Sequence, residues 1–459
     1  MNIVVIVADS LRADHVGCYG GKARTPNIDA LAAEAMVFDQ AYAENLPTLP
    51  CRTAWWTGRH LFTQRGWQPL EPGDYPIAEV LWDKGFASAL ITDVYHMHKP
   101  TYNYGRGFDT TVFVRGQEYD PWVTDRSIAV DLSARHRLRG DESDALWRPR
   151  FEQYLRNVAG FRSEEDYFAP RVVKEAIRWL DHVTRHRKDK LFLWVDLFDP
   201  HEPWDPPAEF ATLYDPDYDG QELIDPVPGP VQGYMSEEEL NHTLALYAGE
   251  VTFVDKWVGV LLDHIRSLGL WENSLIMFTS DHGEPFGEHG IVRKARPWGY
   301  EELAHIPWLI RHPDGPGAGR RSRAFVQPPD LLPTVLEAIG VPARLTLDYR
   351  APVGHTFPQD VVVASSEVAV HGKSLMPLLR GEAERVRDFA ITAHHGAEWT
   401  IRTDDWTLML PINGHRPPEL YNRKADPTEQ RNVVENHRDV ADELELTLRR
   451  FADTVSRAK

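Results

Sequence analysis

The chain opens Asn2-Ile3-Val4-Val5-Ile6-Val7-Ala8 and runs straight into Asp9. A strand with one wet face alternates apolar and polar residues, whereas an unbroken apolar run belongs to a strand covered on both faces. Ile3–Val7 is therefore read as a buried strand. The run is too short to span a bilayer, has no basic flank and meets an acid at once, so it is not read as a signal peptide or membrane segment.

The same signature recurs at Ala87–Ile91, Leu191–Leu197, Ser274–Thr279 and Trp308–Ile310, all read as buried parallel strands. Helical patterns lie between them. Thr25-Pro26 offers an N-cap with proline in the first turn, followed by an apolar face of Ile28, Leu31, Ala32, Ala35 and Met36. Pro329–Ile339 reads as another helix, closed by Gly340. This alternation predicts an α/β fold with a large, mainly parallel sheet flanked by helices.

Several strand runs end at or near an acid: Asp9, Asp93, Asp281, and Asp199 with His201. Such acids start turns or cap helices. In an open α/β sheet, however, ligands bind beyond the carboxyl ends of the strands, so the same acids are placed to meet at one edge.

The 459 residues exceed what one small core needs and predict two units. Residues 1–370 carry the strand and helix alternation. From 371 to 459 the texture changes: Trp399–Thr403 and Trp406–Leu410 read as short antiparallel strands, and Asp439–Ala458 as a charged amphipathic helix. This segment is expected to form a smaller C-terminal α+β subdomain. Thr124 to Lys190 reads as helical and exposed, and Pro203 to Pro230 as a long loop or lid. The 69 acids exceed the 50 bases by 19, an excess that repels nucleic acid and anionic lipid. An anionic substrate would need a local cationic pocket set against this field; assembly of like copies is compatible with the sequence. Two cysteines, Cys18 and Cys51, suit a reduced, cytoplasmic setting.

Two segments carry chemistry. Thr279-Ser280-Asp281-His282-Gly283-Glu284-Pro285-Phe286-Gly287-Glu288-His289-Gly290 follows a strand and is dense in carboxylates, imidazoles and glycines. Asp281 and His282 offer oxygen and nitrogen to one cation, and Lys294 beyond them is a point charge for an oxyanion; the alternative is a polar glycine-rich loop. Thr48-Leu49-Pro50-Cys51-Arg52 leads into an apolar helical run ending near Gly58-Arg59. Free N–H groups at a helix start favour an anion, and Arg52 adds donors. A hydroxyl there can bind a metal and become a nucleophile, or Thr48 is only an N-cap.

Together with Ala8-Asp9-Ser10-Leu11-Arg12-Ala13-Asp14-His15 and Gly17-Cys18-Tyr19-Gly20, these segments resemble the sulfatases of the alkaline phosphatase superfamily. Thr48 to Arg59 falls in the register of that family's Cys/Ser-x-Pro-Ser-Arg and following Thr-Gly. Further echoes run in order: Asp199-Pro200-His201, Asp330-Leu331-Leu332-Pro333-Thr334, Gly372-Lys373-Ser374-Leu375, and Glu419-Leu420-Tyr421 with Ala425-Asp426-Pro427. The resemblance implies an alkaline-phosphatase-like fold and one divalent cation, Ca²⁺, Mg²⁺, Mn²⁺ or Zn²⁺, on Asp9, Asp281, His282 and Thr48. Thr48 would also be the nucleophile, Arg52 would hold its loop, Lys294 would contact the oxyanion and His201 would face the leaving group. The thirteen-residue step from Asp281 to Lys294 (294 − 281) is similar to that of the family's phosphonate and phosphodiester hydrolases.

Three departures matter. Threonine at 48 cannot become the formylglycine of active sulfatases, which needs cysteine or serine, and Cys51 falls three residues late. Ser10 stands where many sulfatases have a second metal-binding aspartate. The usual Lys-x-His after the Ile91 strand is replaced by Thr92-Asp93-Val94-Tyr95-His96-Met97-His98-Lys99. Ser10, His96 and Arg115 are kept as further substrate contacts, with His98 and Lys99 beside them; Arg115-Gly116-Gln117-Glu118 lines the pocket or merely closes a turn. The expected activity is metal-dependent hydrolysis of phosphodiester, phosphonate or sulfate esters. A phosphoryl or sulfuryl transferase and a metal-binding scaffold without turnover are the alternatives.

Overall fold

A computed structural model describes residues 1–294, 298–342, 345–352 and 360–457. The main sheet has eight strands: β1 (Asn2–Ala8), β2 (Met36–Ala41), β3 (Ala87–Thr92), β4 (Thr110–Phe113), β5 (Leu191–Leu197), β6 (Ser274–Thr279), β7 (Trp308–Arg311) and β8 (Arg320–Val326). Their order is β8-β2-β7-β6-β1-β5-β3-β4. The helices used below are α1 (Pro26–Glu34), α2 (Thr48–Thr57), α3 (Ile77–Asp83), α4 (Asp144–Val158), α5 (Phe168–Val183), α6 (Glu237–Ser267), α7 (Leu331–Ala338) and α8 (Arg438–Arg457).

Strand β1 lies in the middle, parallel to β5 and β6, and every one of its residues is buried. Its continuous apolarity has a direct cause. Val4, Ile6 and Ala8 face a core with α1, α5 and α6, while Ile3, Val5 and Val7 face a second core with Trp55 and Trp56 of α2, α3 and α7. The sheet is mainly parallel, as expected, with one correction. Trp308–Arg311 was expected to be parallel, yet β7 runs antiparallel to both β6 and β2. The chain leaves β6 at the carboxyl edge and re-enters the sheet at that same edge, so it must run back.

Other expectations shift in detail. Thr25 precedes α1, but its side chain makes no capping bond; its hydroxyl accepts from Gly17 N–H (2.8 Å) and donates to Asp29 (3.1 Å). Met36 belongs to β2, not to the helix. The stretch expected to be exposed contains α4 and α5, and α5 turns Val172, Val173, Ala176 and Leu180 inward. The long 203–230 loop has one short helix, Ala208–Ala211, and buries Trp204, Leu223, Ile224 and Val227. Pro328–Asp330 forms a 3₁₀ turn before α7, and Gly340 follows the helix end with φ of 73°.

Beyond an antiparallel pair, Leu345–Pro352 with Asp360–Val368, the chain builds a second sheet. Ala390–His394, Glu398–Arg402, Trp406–Pro411 and Glu419–Asn422 form an antiparallel meander. Leu444, Leu448, Ala452 and Val455 of α8 pack on its Ile401, Leu408 and Leu420. A two-residue strand, Asn45–Leu46, joins its edge, with His394 opposite Leu46. The second sheet thus grips the main unit two residues before Thr48. Ala458, expected to end the last helix, lies outside the described residues. Among the described residues no helix is long and apolar enough to cross a membrane.

Candidate active site

The carboxyl edge of the sheet collects the candidate residues. Asp9 ends β1 with its N–H bonded to the Leu197 carbonyl (2.9 Å), and its side chain is fully buried. Ser10 then turns the chain with φ of 59°, a left-handed conformation that costs a non-glycine residue about 1–2 kcal/mol. Its partners hold it there. Ser10 N–H donates to Asp281 Oδ1 (3.1 Å), and Tyr247 of α6 donates to the Ser10 carbonyl (2.8 Å) while accepting from Arg12 N–H (2.9 Å).

Asp281 and His282 follow β6 and are fully buried. Gly283 follows because nothing larger fits: a Cβ there would lie 2.1 Å from the Glu302 carbonyl oxygen. His282 Nδ1 lies 2.8 Å from the Gly283 carbonyl, which can only accept. Nδ1 therefore carries the proton and Nε2 the lone pair, the tautomer suited to a metal ligand. That Nε2 is 3.6 Å from Asp281 Oδ2, 3.9 Å from Asp9 Oδ1 and 3.5 Å from the Thr48 hydroxyl. Ligand atoms of Asp9, Asp281 and His282 all lie within 4.8 Å of one another.

Thr48 is the first residue of α2, after Pro47, and its side chain caps nothing. Pro50 sits in the first turn, where the missing N–H has no helical partner anyway. Trp55 and Trp56 are core residues packed on Trp194, at ring distances of 5.9 and 5.5 Å. The helix is buried throughout, so its start faces the carboxylate cluster rather than water.

Arg52 explains how the cluster is held. Its Nε donates to Asp196 (2.9 Å), Nη1 to the Thr48 carbonyl (3.0 Å) and Asp281 (2.6 Å), and Nη2 to Asp9 (3.0 Å) and Asp196 (2.6 Å). All five donors of a guanidinium are thereby engaged. Arg52 has no donor left for an anion, which corrects the expectation that it adds a fork of donors at the helix start; it ties α2 to three strands instead.

The charges do not balance. Asp9, Asp196 and Asp281 surround one arginine, so that full ionisation would leave two negative charges (3 − 1) in a buried place. Burial, then the Asp281 charge, push the Asp9 carboxyl well above its usual range. Burial pushes Asp281 the same way, but His282 and Arg52 hold it below. Burial lowers the His282 imidazole and keeps it neutral. Two oxygen donors, one nitrogen lone pair and a deficit of two positive charges fit a divalent cation.

Lys294 reaches this group from the other side. Its ammonium donates to Ser10 Oγ (3.5 Å), Glu202 Oε2 (2.9 Å) and Glu284. Burial opposes its charge, but Glu202 and Glu284 keep it protonated. Glu202 is in turn bonded by Arg293 Nε (2.8 Å), which also pairs with Asp225. Burial, then the Glu202 charge, raise the Glu284 carboxyl to about 8. His201 donates from Nδ1 to the Glu202 carbonyl (2.8 Å), and burial followed by nearby Lys294 keeps its ring neutral.

The other candidates stand further out. His96 contacts Glu118 (2.8 Å) and the rings of Trp67 and Phe198. His98 stacks on Phe113, 4.0 Å between centroids. Arg115 forks onto Asp120 at 2.6 and 2.7 Å and lies over Trp122, so it closes its turn rather than pointing at the cluster. Sequence reading missed Asp196, Glu202 and Tyr247. The signal for Asp196 was a carboxylate inside the apolar run Leu191–Leu197; Tyr247, inside a long helix, carried none.

Comparison with known proteins agrees with this geometry. The family model described as "Sulfatase" matches residues 1–341. An uncharacterized sulfatase YidJ of Escherichia coli (strain K12) is 26% identical over 99% of this chain and 87% of its own length. An N-acetylglucosamine-6-O-sulfatase of Bacteroides thetaiotaomicron is 24% identical over 98% of this chain and 87% of its own. The crystal structure of a phosphonate monoester hydrolase of Agrobacterium radiobacter shares the fold, with a TM-score of 0.74 at 22% identity over 98% of this chain and 96% of that one. The chain belongs to the sulfatase family, within the alkaline phosphatase superfamily.

Proposed function

We propose that this protein is a metal-dependent hydrolase of small anionic esters with Thr48 as nucleophile, and that it prefers phosphodiesters and phosphonate monoesters to sulfate esters. The observation that carries this reading is the Thr48 hydroxyl at the start of α2, 3.5 Å from the unprotonated Nε2 of His282, a member of the Asp9, Asp281 and His282 group. Asp9, Asp281, His282 and Thr48 would hold the cation, which when bound supplies a Lewis acid and eases loss of the hydroxyl proton.

The residues of the chain do the rest. Arg52 fixes the first turn of α2 through the Thr48 carbonyl, so the hydroxyl is oriented before substrate arrives. Lys294 offers positive charge to the equatorial oxygens as the reacting centre flattens. Thr48 Oγ gives its proton to solvent as it bonds to phosphorus, and the leaving oxygen departs with the P–O electron pair and takes a proton from solvent. Water then attacks phosphorus and gives up a proton, and the bond to Thr48 Oγ breaks as that oxygen takes a proton back. The group that faces the leaving oxygen also faces the water that replaces it. His201, neutral with its Nδ1 proton committed to Glu202, meets that water as a proton acceptor through Nε2.

The preference follows from the second step. A formylglycine hydrate has a second hydroxyl that expels sulfate by elimination. Threonine has one, so its ester must wait for water to attack the central atom. Phosphorus, whose negative charge is concentrated on two oxygens rather than spread over three, engages the cation and Lys294 more strongly and is the better target. The two unpaired cysteines, Cys18 and Cys51, fit a reducing, cytoplasmic setting, and an excess of 19 acids argues against nucleic acid or anionic lipid as partner.

The test compares one aryl leaving group on a phosphodiester, a phosphonate and a sulfate centre, with and without Mn²⁺, read as kcat/KM. The phosphorus esters should lead, turnover should need the metal, and peptide mass should show an unmodified Thr48. A sulfate ester that leads, with Thr48→Ala abolishing it, would sink the preference. An aldehyde at Cys51 would overturn the nucleophile.

A further inference from the structure

The basic residues around the site are nearly all neutralised by carboxylates. Arg52 has three, Arg293 has Glu202 and Asp225, Lys294 has Glu202 and Glu284, and Arg115 has Asp120. Lys99 and Arg150 are treated differently. Lys99 Nζ lies 5.1 Å from the centroid of Tyr95, and Arg150 Cζ lies 4.5 Å from that of Tyr119 and 4.8 Å from that of Trp147. Among the described residues neither is within ion-pair distance of a carboxylate; Glu118 acts on Lys99 only at longer range, and its carboxylate is turned to His96.

The two cations converge. Tyr95 and Tyr119 meet edge to face, 5.6 Å between centroids, so the rings beneath the cations touch. Lys99 and Arg150 are near enough for the arginine to oppose the lysine's charge. A cation on an exposed ring gains only about 0.5–1 kcal/mol, and two like charges side by side return part of it. In a chain with 19 excess acids, leaving this pair unneutralised is a feature of the surface that calls for an anion.

The platform is continuous with the candidate active site along two paths. Trp147, under Arg150, also lies under Arg293 at 4.8 Å, and Arg293 holds the Glu202 that holds Lys294. His96 contacts Tyr119 at 6.0 Å and Phe198 at 6.3 Å, and Phe198 lies 4.0 Å from the His201 ring. The His201 end is where the leaving group departs. Trp67, 39% exposed and 4.9 Å from His96, adds an open apolar face at the rim.

We infer that Lys99 and Arg150, seated on Tyr95, Tyr119 and Trp147, form a subsite for a second negative charge, so that the substrate's leaving group is a ring-bearing alcohol carrying its own anionic substituent. This rests on the proposed ester hydrolysis for the placement of the leaving group. The aromatic platform holds the two basic heads in position without neutralising them, and Trp67 offers contact to the ring that joins the two anionic ends of the substrate.

Binding, not turnover, tests this, so the two readings can fail separately. The probes are phenylphosphonate and its ortho-, meta- and para-carboxylated forms, titrated calorimetrically into the Mn²⁺-loaded protein at low salt. One carboxylated isomer should bind more tightly than the parent by roughly tenfold, the worth of one well-placed charge pair. Lys99→Met and Arg150→Met should each remove most of that ratio, Lys99→Arg should retain it, and raising the ionic strength should shrink it. A ratio near one for every isomer, or a preference that survives both methionine variants, overturns the subsite. A preference that behaves as expected in a protein that hydrolyses none of the esters upholds the subsite and sinks the hydrolase.

Discussion

Arg52 and Asp196 are joined by two hydrogen bonds, 2.9 and 2.6 Å long, in a place where neither side chain has any exposed surface. Asp196 contributes nothing to the three-residue ligand group, yet it takes two of the five donors of the residue that organises it. Removing it leaves buried donors without partners. Asp196→Ala should therefore cost on the order of 3–5 kcal/mol of stability, the range for breaking one side of a buried ion pair. Urea unfolding measures the loss. Cation affinity should fall with it, because Arg52 is then free to lean harder on Asp9 and Asp281. A stable variant with unchanged affinity would mean that Arg52 is held well enough by the other two carboxylates.

Metal removal should show in stability as well as in turnover. Fully ionised, the cluster carries two negative charges in excess, and a ligand that binds only the folded state adds about 2.7 kcal/mol at one hundred times its Kd. Thermal unfolding should rise on adding Mn²⁺ and fall on adding a chelator. Asp281→Asn keeps the shape but removes one charge, and should erase most of the metal-linked part. An unfolding temperature indifferent to both metal and chelator would count against the cation site.

How far the sequence reaches can be seen in these residues. The five apolar runs are legible because burial on both faces leaves no alternation to hide them. The direction of Trp308–Arg311 is not, because it depends on whether the chain between strands crosses the sheet, and local composition does not report that. Asp9, Thr48, Asp281 and His282 are legible through the order of their segments along the chain. Asp196 is not, since its meaning comes from Arg52, 144 positions away, and its neighbours read only as strand. Arg115 stayed open between pocket and turn for the complementary reason. An arginine in a polar knot looks available until its fork is seen closed on Asp120 five residues later.

The acid limb of stability should carry a signature of His136. Its ring is buried against Phe151, 4.3 Å between centroids, and burial, followed by the charge of Arg135, lowers its pKa to about 3. The unfolded chain takes up a proton near pH 6.5, while the folded one resists until about pH 3, so the unfolded state binds more protons in between. This contribution is fully present above pH 6.5 and is lost as pH falls toward 3. His136→Phe keeps the ring and removes the titration. Relative to the parent, the variant should gain roughly 1.4 kcal/mol per pH unit between those limits. Chemical unfolding at pH 7, 5.5 and 4 reads the difference, and parallel curves would show that His136 takes up its proton in the fold as readily as in the unfolded chain.

The side chain at position 48 separates chemistry from architecture. Within α2 the main chain of Thr48 carries the structural load, since its carbonyl accepts from Arg52 at 3.0 Å. The hydroxyl has one neighbour at hydrogen-bonding range, His282 Nε2 at 3.5 Å, a long contact of little strength. Thr48→Ala should thus leave unfolding within about 1 kcal/mol of the parent, as for loss of one ordinary hydrogen bond. Its kcat/KM should nonetheless fall by on the order of a thousandfold or more, since the nucleophile is gone. Thr48→Ser keeps the oxygen and discards only the γ-methyl, so it should retain activity within about tenfold, the difference reflecting a freer rotamer. The pair is informative together. If the serine variant is as inactive as the alanine variant, the methyl rather than the oxygen is what matters, and Thr48 shapes the pocket for some other nucleophile. If the alanine variant keeps its turnover while still requiring metal, the attacking group is water and no ester to Thr48 forms.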